Sequence, residues 1–400
     1  MSVHSEDSDP NWEDADTVDE IVEAGRDLVY SILQREPLAT IKSKIAGGAP
    51  VWFQIEDGTS ALHAAAYNED VELVRFLIGQ GAVWNAVDGL HNTAADITLS
   101  MNNEECYTLI RDAGIRSELL LTLLSSKSPL AGTSLSLVLK ATDDSAAGST
   151  DNFLTSRLRY THDEHGQEIC LVKVSETEDV GVMMGWERSI MKETVDRLCT
   201  GHPNLQDGLK VLNVGFGLGI IDGFFQSLEV PPSQHVIIEA HPDVLQHMKE
   251  LGWYENPGVK ILEGKWQDFV ESDELLSVGG FDVIYTDTFS EDYKALHDFF
   301  GHLPDLLAGP ESHFSFFHGL GATSKCLPLM IIGRSLNSRT DNTFYDVYTH
   351  VSELHLADIG INVEWSDVDV VEGKQDRWNE TRKYFSVRTY RLPLGKMRGM

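Results

Sequence analysis

A glycine-rich turn and two acidic side chains are the parts of this 400-residue sequence best suited to chemistry. Gly215, Gly217 and Gly219 follow the apolar run VLNV and precede a stretch with helical spacing. Glycines let a backbone approach a ligand closely, and a helix that begins there offers free N–H groups. The spacing is GxGxG, which departs from the GxGxxG of dinucleotide-binding turns. The turn alone indicates a ligand site without identifying the ligand.

Three further positions follow apolar runs in the same region. Glu239 ends VIIE, where its carboxylate could accept both hydroxyls of an adenosine ribose, a group shared by NAD and S-adenosylmethionine. Trp266, in EGKWQDF, could stack on a base or pack in the core. Asp287 comes just after VIYT, at the carboxyl end of a predicted strand, where a doubly wound fold binds its ligands. An acid there suits methyl transfer to a nitrogen better than hydride transfer.

An α/β domain is needed to bring these positions together. From about residue 210, five predicted strands, LKVLNVG, QHVIIEA, GVKILEG, FDVIYTD and SHFSFFHG, alternate with stretches of helical spacing. Near-continuous apolar strands of this kind are typical of a parallel sheet covered on both faces. Two later runs, INVEWSDVDV and RKYFSVRTYRL, predict a closing pair of strands that could be antiparallel.

The first third of the sequence contains a repeat. GAPVWFQIEDG begins at Gly48 and GAVWNAVDG begins at Gly81, an interval of 33 residues. This period, with the turn element SALH, resembles the ankyrin repeat. We therefore expect stacked helix pairs over residues 21–115, with His63 bonded to backbone in the turn. Such a unit could dock a substrate or could simply pack against the second domain, and the sequence leaves both open.

Composition limits the possible partners. The sequence has 31 Lys and Arg against 63 Asp and Glu, a net charge of −32, which argues against nucleic acid and anionic membranes and favours a basic partner.

Residues 1–20 are strongly acidic and lack the basic start and apolar core of a signal peptide, so we predict a disordered tail. A linker is predicted over 116–150, and a second domain over 151–400. The four cysteines are far apart, and we expect neither disulfides nor a metal site.

Five motifs of this sequence, taken in order, resemble those of a known protein family. The motifs VGVMMGWERSIM, LNVGFGLGIID, VIIEAHPDV, EGKWQD and YTDTF occur in this order. With the ankyrin-like front, they resemble guanidinoacetate methyltransferase and, more closely, the fungal arginine δ-N-methyltransferases, which are type IV protein arginine methyltransferases. The resemblance covers roughly residues 20–400. It implies a Rossmann-like, S-adenosylmethionine-dependent methyltransferase domain of the α/β class, preceded by a small all-α ankyrin-like domain.

The resemblance also implies a role for particular residues. Glu187 and Asp287 would hold a guanidinium group as the catalytic pair. The cofactor S-adenosylmethionine would be bordered by Tyr160, Met183, Met191, Gly215, Phe216, Gly217, Leu218, Gly219, Ile220, Ile221, Glu239, Ala240, His241, Lys265, Trp266 and Asp287. The commoner arginine methyltransferases carry a double-glutamate loop after the fourth strand. Nothing in this sequence matches that loop, which puts methylation of the terminal guanidino nitrogens by their mechanism in doubt.

The leading interpretation is transfer of a methyl group to the δ-nitrogen of a protein arginine. The resemblance implies a basic protein substrate, a large-subunit ribosomal protein, and a location in cytoplasm and nucleus. We expect a monomer with no direct nucleic-acid or membrane partner. Three alternatives stay open: a methyltransferase for a small guanidino compound, a non-catalytic ankyrin adaptor with a vestigial second domain, and, more remotely, a dehydrogenase.

Overall fold

The computed structural model describes residues 13–127, 149–162, 166–173, 179–184, 187–320, 343–370, 385, 387 and 389–398. Two compact units make up the chain. The first contains the described residues up to 123 together with residues 343–347, and the second contains the others. Among the described residues, none of the helices has the length and apolar character that crossing a membrane would require.

The first unit is built from helices, as the repeat predicts. They are α1 (Glu13–Leu33), α2 (Leu38–Ala46), α3 (Ala61–Tyr67), α4 (Val71–Gly79), α5 (Ala94–Ser100) and α6 (Glu104–Lys127). Helices α3 and α5 start alike, because Ser60 and Thr93 both form capping boxes with the residue three positions later. Short bridges, Gln54 to Ser60 and Val87 to Thr93, close the turn before each helix. The two turns therefore repeat in structure as they do in sequence.

His63 bonds to backbone in this repeat, which confirms the sequence expectation. Its Nδ1 atom lies 2.7 Å from Ser60 Oγ and accepts from the Ser60 backbone N–H at 3.2 Å. Its Nε2 atom lies 3.0 Å from the carbonyl oxygen of Asn92, in the next turn. Burial lowers the pKa of the imidazole, which favours the neutral form that these bonds require. His63 thus joins neighbouring repeats.

The structure differs from the predicted domain boundaries at three places. Helix α1 already begins at Glu13, inside the predicted tail. Helix α6 continues to Lys127, inside the predicted linker, through the helix-forming run SELLLTLLSSK. Residues 343–347 belong to the first unit rather than the second. Residues 1–12 and 128–148, on which the rest of the tail and linker predictions fall, lie outside the described residues.

The second unit begins with a short helix and a small antiparallel sheet. Helix α7 (Thr150–Thr155) precedes β1 (Leu158–His162), β2 (Glu168–Lys173) and β3 (Asp179–Met183), which pair in that order. Helix α8 (Arg188–Cys199) then leads into the main sheet. Its buried face, which includes Met191, Val195 and Leu198, packs with residues of that sheet.

The main sheet has seven strands, and they match the runs predicted from residue 210 onward except at the last, where the strand begins at Thr389 near the end of RKYFSVRTYRL and continues beyond it. They are β4 (Lys210–Val214), β5 (Gln234–Glu239), β6 (Val259–Glu263), β7 (Val283–Thr286), β8 (His313–Phe316), β9 (Ile361–Asp369) and β10 (Thr389–Met397). Their order is β6-β5-β4-β7-β8-β10-β9. The first five strands are parallel, and β10 runs antiparallel to both β8 and β9.

Helices cover both faces of this sheet, as expected for buried parallel strands. They are α9 (Ile220–Gln226), α10 (Pro242–Glu250), α11 (Asp273–Leu276), α12 (Tyr293–Phe300), α13 (Leu303–Leu306) and α14 (Thr343–Asp358), whose first five residues belong to the first unit. The order of the parallel strands reverses between β4 and β7. In folds of this kind a ligand crevice forms at the carboxyl ends of the strands that flank the reversal. Gly215 and Asp287 follow these two strands directly.

Candidate active site

A cavity of about 330 Å³ lies at this reversal point, within the range of small-molecule sites. Its walls come from the ends of β3, β4, β5 and β7, from the loop after β6, and from α7. Nine of the residues predicted for the site line it: Met183, Glu187, Gly215, Gly217, Glu239, Ala240, Lys265, Trp266 and Asp287. The fold therefore brings together residues that are up to 104 positions apart in the sequence (287 − 183).

Glu187 and Asp287 face the same cavity. Glu187 directly precedes α8 and is only 3% exposed, whereas Asp287 is partly buried at the end of β7. Burial raises the pKa of Glu187 well above the ordinary value, and the charge of Asp287 raises it further. Burial raises the pKa of Asp287 to about 7. Two desolvated acids that disfavour each other's charge form a site that a cation would stabilise.

Gly215 and Gly217 leave no room for a side chain at their own positions in the turn. Gly215 has a φ of +92°, and a Cβ atom there would lie 2.0 Å from the carbonyl oxygen of Asp287. Gly217 has a φ of +57°, and a Cβ atom there would lie 2.2 Å from Cε of Met183. The Leu218 N–H points at the Met183 sulfur, at 3.0 Å. The turn thus packs directly against Asp287 on one side and Met183 on the other.

Glu239 braces the turn in addition to lining the cavity. Its carboxylate accepts from the backbone N–H groups of Phe216 at 2.9 Å, Ala240 at 2.8 Å and His241 at 2.7 Å. Burial raises the pKa of Glu239, and the N–H donors act in the opposite direction. Because a carboxylate has about four acceptor positions, these bonds occupy most of them. The ribose contact expected for Glu239 stays a prediction.

Trp266 forms a wall of the cavity and packs in the core, and its stacking on a base stays a prediction. It is 5% exposed, and its ring stands edge-on to Phe299 with 5.2 Å between the ring centres. Its indole N–H donates to both carboxylate oxygens of Glu291 at 3.0 Å. Lys265 is nearer the solvent and pairs with Asp151 at 2.9 Å.

Eight predicted cofactor residues are not among those that line the cavity: Tyr160, Met191, Phe216, Leu218, Gly219, Ile220, Ile221 and His241. Residues 218–221 form the end of the turn and the start of α9. Met191 is buried and accepts from the Tyr285 hydroxyl at 3.3 Å. These residues support the turn or the neighbouring core, and direct contact with a cofactor stays a prediction for them.

The remaining three of these eight residues are held by aromatic neighbours. Phe216 is buried against Trp253, and Tyr160 stacks on His247 with 4.0 Å between the ring centres. His241 caps α10, and its Nε2 atom lies 3.0 Å from the carbonyl oxygen of Phe153 in α7. Through this contact, α7 is tied to the loop that follows Glu239.

Sequence reasoning missed several residues of the cavity wall. Phe153 in α7, Phe289 and Glu291 after β7, and Phe317 after β8 all line it. Phe153 packs on Phe289 with 4.7 Å between the ring centres. Glu291 could have been found from its position in TDTFSED, four residues after Asp287. The phenylalanines carry no sequence signal that separates a cavity wall from an ordinary core.

Comparison with known proteins agrees with this arrangement. A family model described as guanidinoacetate N-methyltransferase matches residues 176–307, and one for ankyrin repeats matches residues 62–109. A protein arginine N-methyltransferase 2 from Cryptococcus neoformans is 39% identical, over 88% of this chain and 90% of that protein. Proteins of the same name from Aspergillus oryzae and Candida glabrata are 34% and 36% identical, each over 81% of this chain and over 77% and 78% of their own lengths.

The chain belongs to the protein arginine N-methyltransferase 2 family. This confirms the predicted family and the predicted fold, an α/β methyltransferase domain preceded by ankyrin repeats. The guanidinoacetate N-methyltransferase match runs from just before β3 to just after α13. It therefore contains Glu187, the glycine turn, Glu239 and Asp287 together. In this member of the protein arginine N-methyltransferase 2 family, these residues are gathered around a single cavity.

Proposed function

We propose that this methyltransferase transfers a methyl group from S-adenosylmethionine to the δ-nitrogen of an arginine in a protein. The observation that carries the proposal is the pair of desolvated carboxylates, Glu187 and Asp287, in the cavity beside the glycine turn. The names of the relatives, which specify protein arginine, support the choice of substrate.

The residues present fit the cofactor. A turn in which side chains are excluded at Gly215 and Gly217 lets a ligand lie against the backbone, and Met183 stands beside it. Glu239 and Trp266 would border the adenosine portion. When bound, S-adenosylmethionine supplies a methyl group on a positively charged sulfur. The chain's own residues then have to present the nitrogen that accepts it.

Glu187 and Asp287 would hold the guanidinium and fix its orientation. Arginine stays protonated at neutral pH, and its N–H fork matches carboxylates bidentately. A cation between the two acids offsets the desolvation that raises their pKa values, so both would be ionised in the complex. Holding one nitrogen in a reactive geometry accounts for much of the rate gain available in a site of this kind. As the nitrogen–carbon bond forms and the bond from the methyl carbon to sulfur breaks, one of the carboxylates would accept the proton that the nitrogen loses.

Two features favour a protein over a small guanidino compound, and the δ-nitrogen over the terminal ones. The chain carries an ankyrin unit, which a small substrate would not need. The sequence lacks the double-glutamate loop of the commoner arginine methyltransferases. The net charge of −32 favours a basic partner, and we propose a large-subunit ribosomal protein. We also propose a monomer that acts in cytoplasm and nucleus, without direct nucleic-acid or membrane contact.

Transfer of labelled methyl from S-adenosylmethionine tests this proposal. The full chain is offered a cell protein extract and, separately, free guanidinoacetate, and mass spectrometry locates the methyl group. Label on the δ-nitrogen of a protein arginine would support the proposal and identify the substrate. Label on guanidinoacetate alone would make the protein a small-molecule enzyme. Absence of label in both pools, with no binding of S-adenosylmethionine, would favour the adaptor.

A further inference from the structure

One acid in the cavity wall, Glu291, has no place in the proposed function so far. It stands on the loop after β7 that carries Asp287, four residues further along the chain. Its carboxylate receives three different donors. The indole N–H of Trp266 reaches both oxygens at 3.0 Å, the Gln267 amide reaches Oε1 at 3.0 Å, and the Thr288 hydroxyl reaches Oε2 at 2.6 Å.

These bonds join two loops that come from different strands. Trp266 and Gln267 follow β6, whereas Thr288 and Glu291 follow β7. Strands β6 and β7 are not neighbours in the sheet, because β5 and β4 lie between them. No backbone pairing of β6 with β7 can therefore hold these two loops together. Among the described residues, the Glu291 carboxylate connects the two loops directly, whereas α7 connects them only indirectly, through Lys265 with Asp151 at 2.9 Å and Thr150 with the Ser290 carbonyl oxygen at 3.2 Å.

The backbone beside Glu291 indicates that the loop is held in a conformation it would not adopt freely. Ser290 has a φ of +66°, in the left-handed region that residues other than glycine seldom occupy. Such conformations persist where the surrounding bonds fix them, and they concentrate at functional sites. At its first residue the loop is fixed by the Asp287 N–H, which donates to Val214 at 2.8 Å. At its end, Asp292 caps α12.

We propose that Glu291 is a positioning residue, whose carboxylate ties the Asp287 loop to the Trp266 wall and so fixes Asp287 toward the guanidinium. This inference rests on the proposed function for its kinetic consequences only. A carboxylate that already receives three donors is well placed to brace the loop. Direct binding of the substrate cation by Glu291 is the alternative, and the test separates the two.

The first part of the test compares kcat/KM for methyl transfer in three variants. Glu291→Ala removes the connection, and we expect a loss of about 10-fold to 100-fold, since small displacements of a reacting group have effects of this size. Glu291→Gln keeps an oxygen acceptor without the charge, and we expect it to stay within about threefold of the wild type. Equal losses in both variants would overturn the inference in favour of direct cation binding. The control is Glu271→Ala, which removes an exposed acid from the same unit.

The second part needs no activity, because it measures the environment of Asp287 through folding stability. The thermal unfolding midpoint is recorded from pH 5 to pH 8 for the wild type, Asp287→Asn, Glu291→Ala and the double variant. The pKa of Asp287 is raised on folding, so its ionisation destabilises the folded state as pH rises toward about 7. In the wild-type background, Asp287→Asn should therefore raise the midpoint more at pH 8 than at pH 5. Glu187, ahead of α8, and Tyr285, in β7, also interact with Asp287 and are unchanged in all four proteins.

The quantity to compare is the midpoint shift caused by Asp287→Asn at pH 8 minus the shift at pH 5. In the Glu291→Ala background, we expect this quantity to fall by at least half, because a released Asp287 returns toward its ordinary pKa. A difference that stays the same in both backgrounds would overturn the inference, even if Glu291→Ala lowers the midpoint at every pH. If Glu291→Ala does not fold, Thr288→Val removes one of the donors and takes its place in the cycle. If the wild type transfers no methyl at all, the proposed function fails. The stability comparison of the four proteins still decides the role of Glu291 in that case.

Discussion

In the proposed function, the chemistry depends on Glu187 and Asp287. An amide in place of either carboxylate removes one charge and keeps the shape of the side chain. The guanidinium should then be held poorly, while S-adenosylmethionine should still bind. We expect Glu187→Gln and Asp287→Asn each to lower kcat by about 100-fold or more, the range attributed to a positioned acid or base. Calorimetry should show affinity for S-adenosylmethionine within about threefold of the wild type. Retained turnover in both variants would contradict the assignment.

The same pair should make the reaction sensitive to pH near neutrality. Because the pKa of Asp287 is about 7 and that of Glu187 is also raised, protons compete with the guanidinium as pH falls. We expect kcat/KM for the arginine substrate to drop below about pH 7, by up to about tenfold per unit. Affinity for S-adenosylmethionine measured over the same pH range is the control for unfolding of the enzyme at low pH. A profile that stays flat between pH 8 and pH 5.5 would show that neither acid is protonated in the free enzyme.

At the scale of elements, Gly217 in the turn after β4 and Gly223 in α9 make a matched pair of glycines. Gly217→Ala places a Cβ atom 2.2 Å from Met183 in a backbone with positive φ. Gly223→Ala changes the fourth residue of α9, where a Cβ atom meets nothing within 4 Å. We expect the first variant to lose about tenfold or more in affinity for S-adenosylmethionine. The second should bind normally and be as stable as the wild type or more so, since alanine favours a helix by about 1 kcal/mol. Equal affinities in the two variants would show that the turn does not hold the cofactor.

The elements also show where sequence reasoning succeeds and where it stops. The strands were predictable because a sheet buried on both faces requires continuous apolar runs, such as the Val-Ile-Ile that precedes Glu239 at the end of β5. The helices were less predictable from the sequence. The stretch WQDFVESDELLSV forms only the short helix α11 after an initial tight turn, and the predicted helix after β7 is interrupted between α12 and α13. Tertiary contacts, such as the packing of Trp266 against Phe299, decide these local outcomes.

For the site, the sequence indicated which residue types matter and the fold decided which of them meet. Asp287 was predictable because the end of a parallel strand is where ligands bind. Its proximity to Glu187 was not deducible from spacing and followed only from a family resemblance. The role of Glu291 depends on two loops whose separation is set by the strand order, so a single sequence contains no direct sign of it.

At the scale of the whole molecule, the charge of −32 should govern encounters with substrate. Long-range attraction between an acidic enzyme and a basic protein raises the association rate, and salt screens it. We expect kcat/KM for a basic protein substrate to fall on the order of tenfold between low and physiological ionic strength. Affinity for S-adenosylmethionine should change far less, since the proposed binding site lies inside the cavity. A salt-independent kcat/KM would mean that the acidity serves solubility alone.

The order of the last strands has a consequence for how the protein is made. Among the described strands, β9 pairs only with β10, and β10 fills the position between β9 and β8. During synthesis β9 leaves the ribosome first and has no neighbour until residues 389–397 follow it. Until then the edge of β8 also stays open, and open edges are where strands from other chains attach. We therefore expect a stop codon before residue 389, which leaves β8 and β9 without β10, to yield aggregates rather than a shortened enzyme.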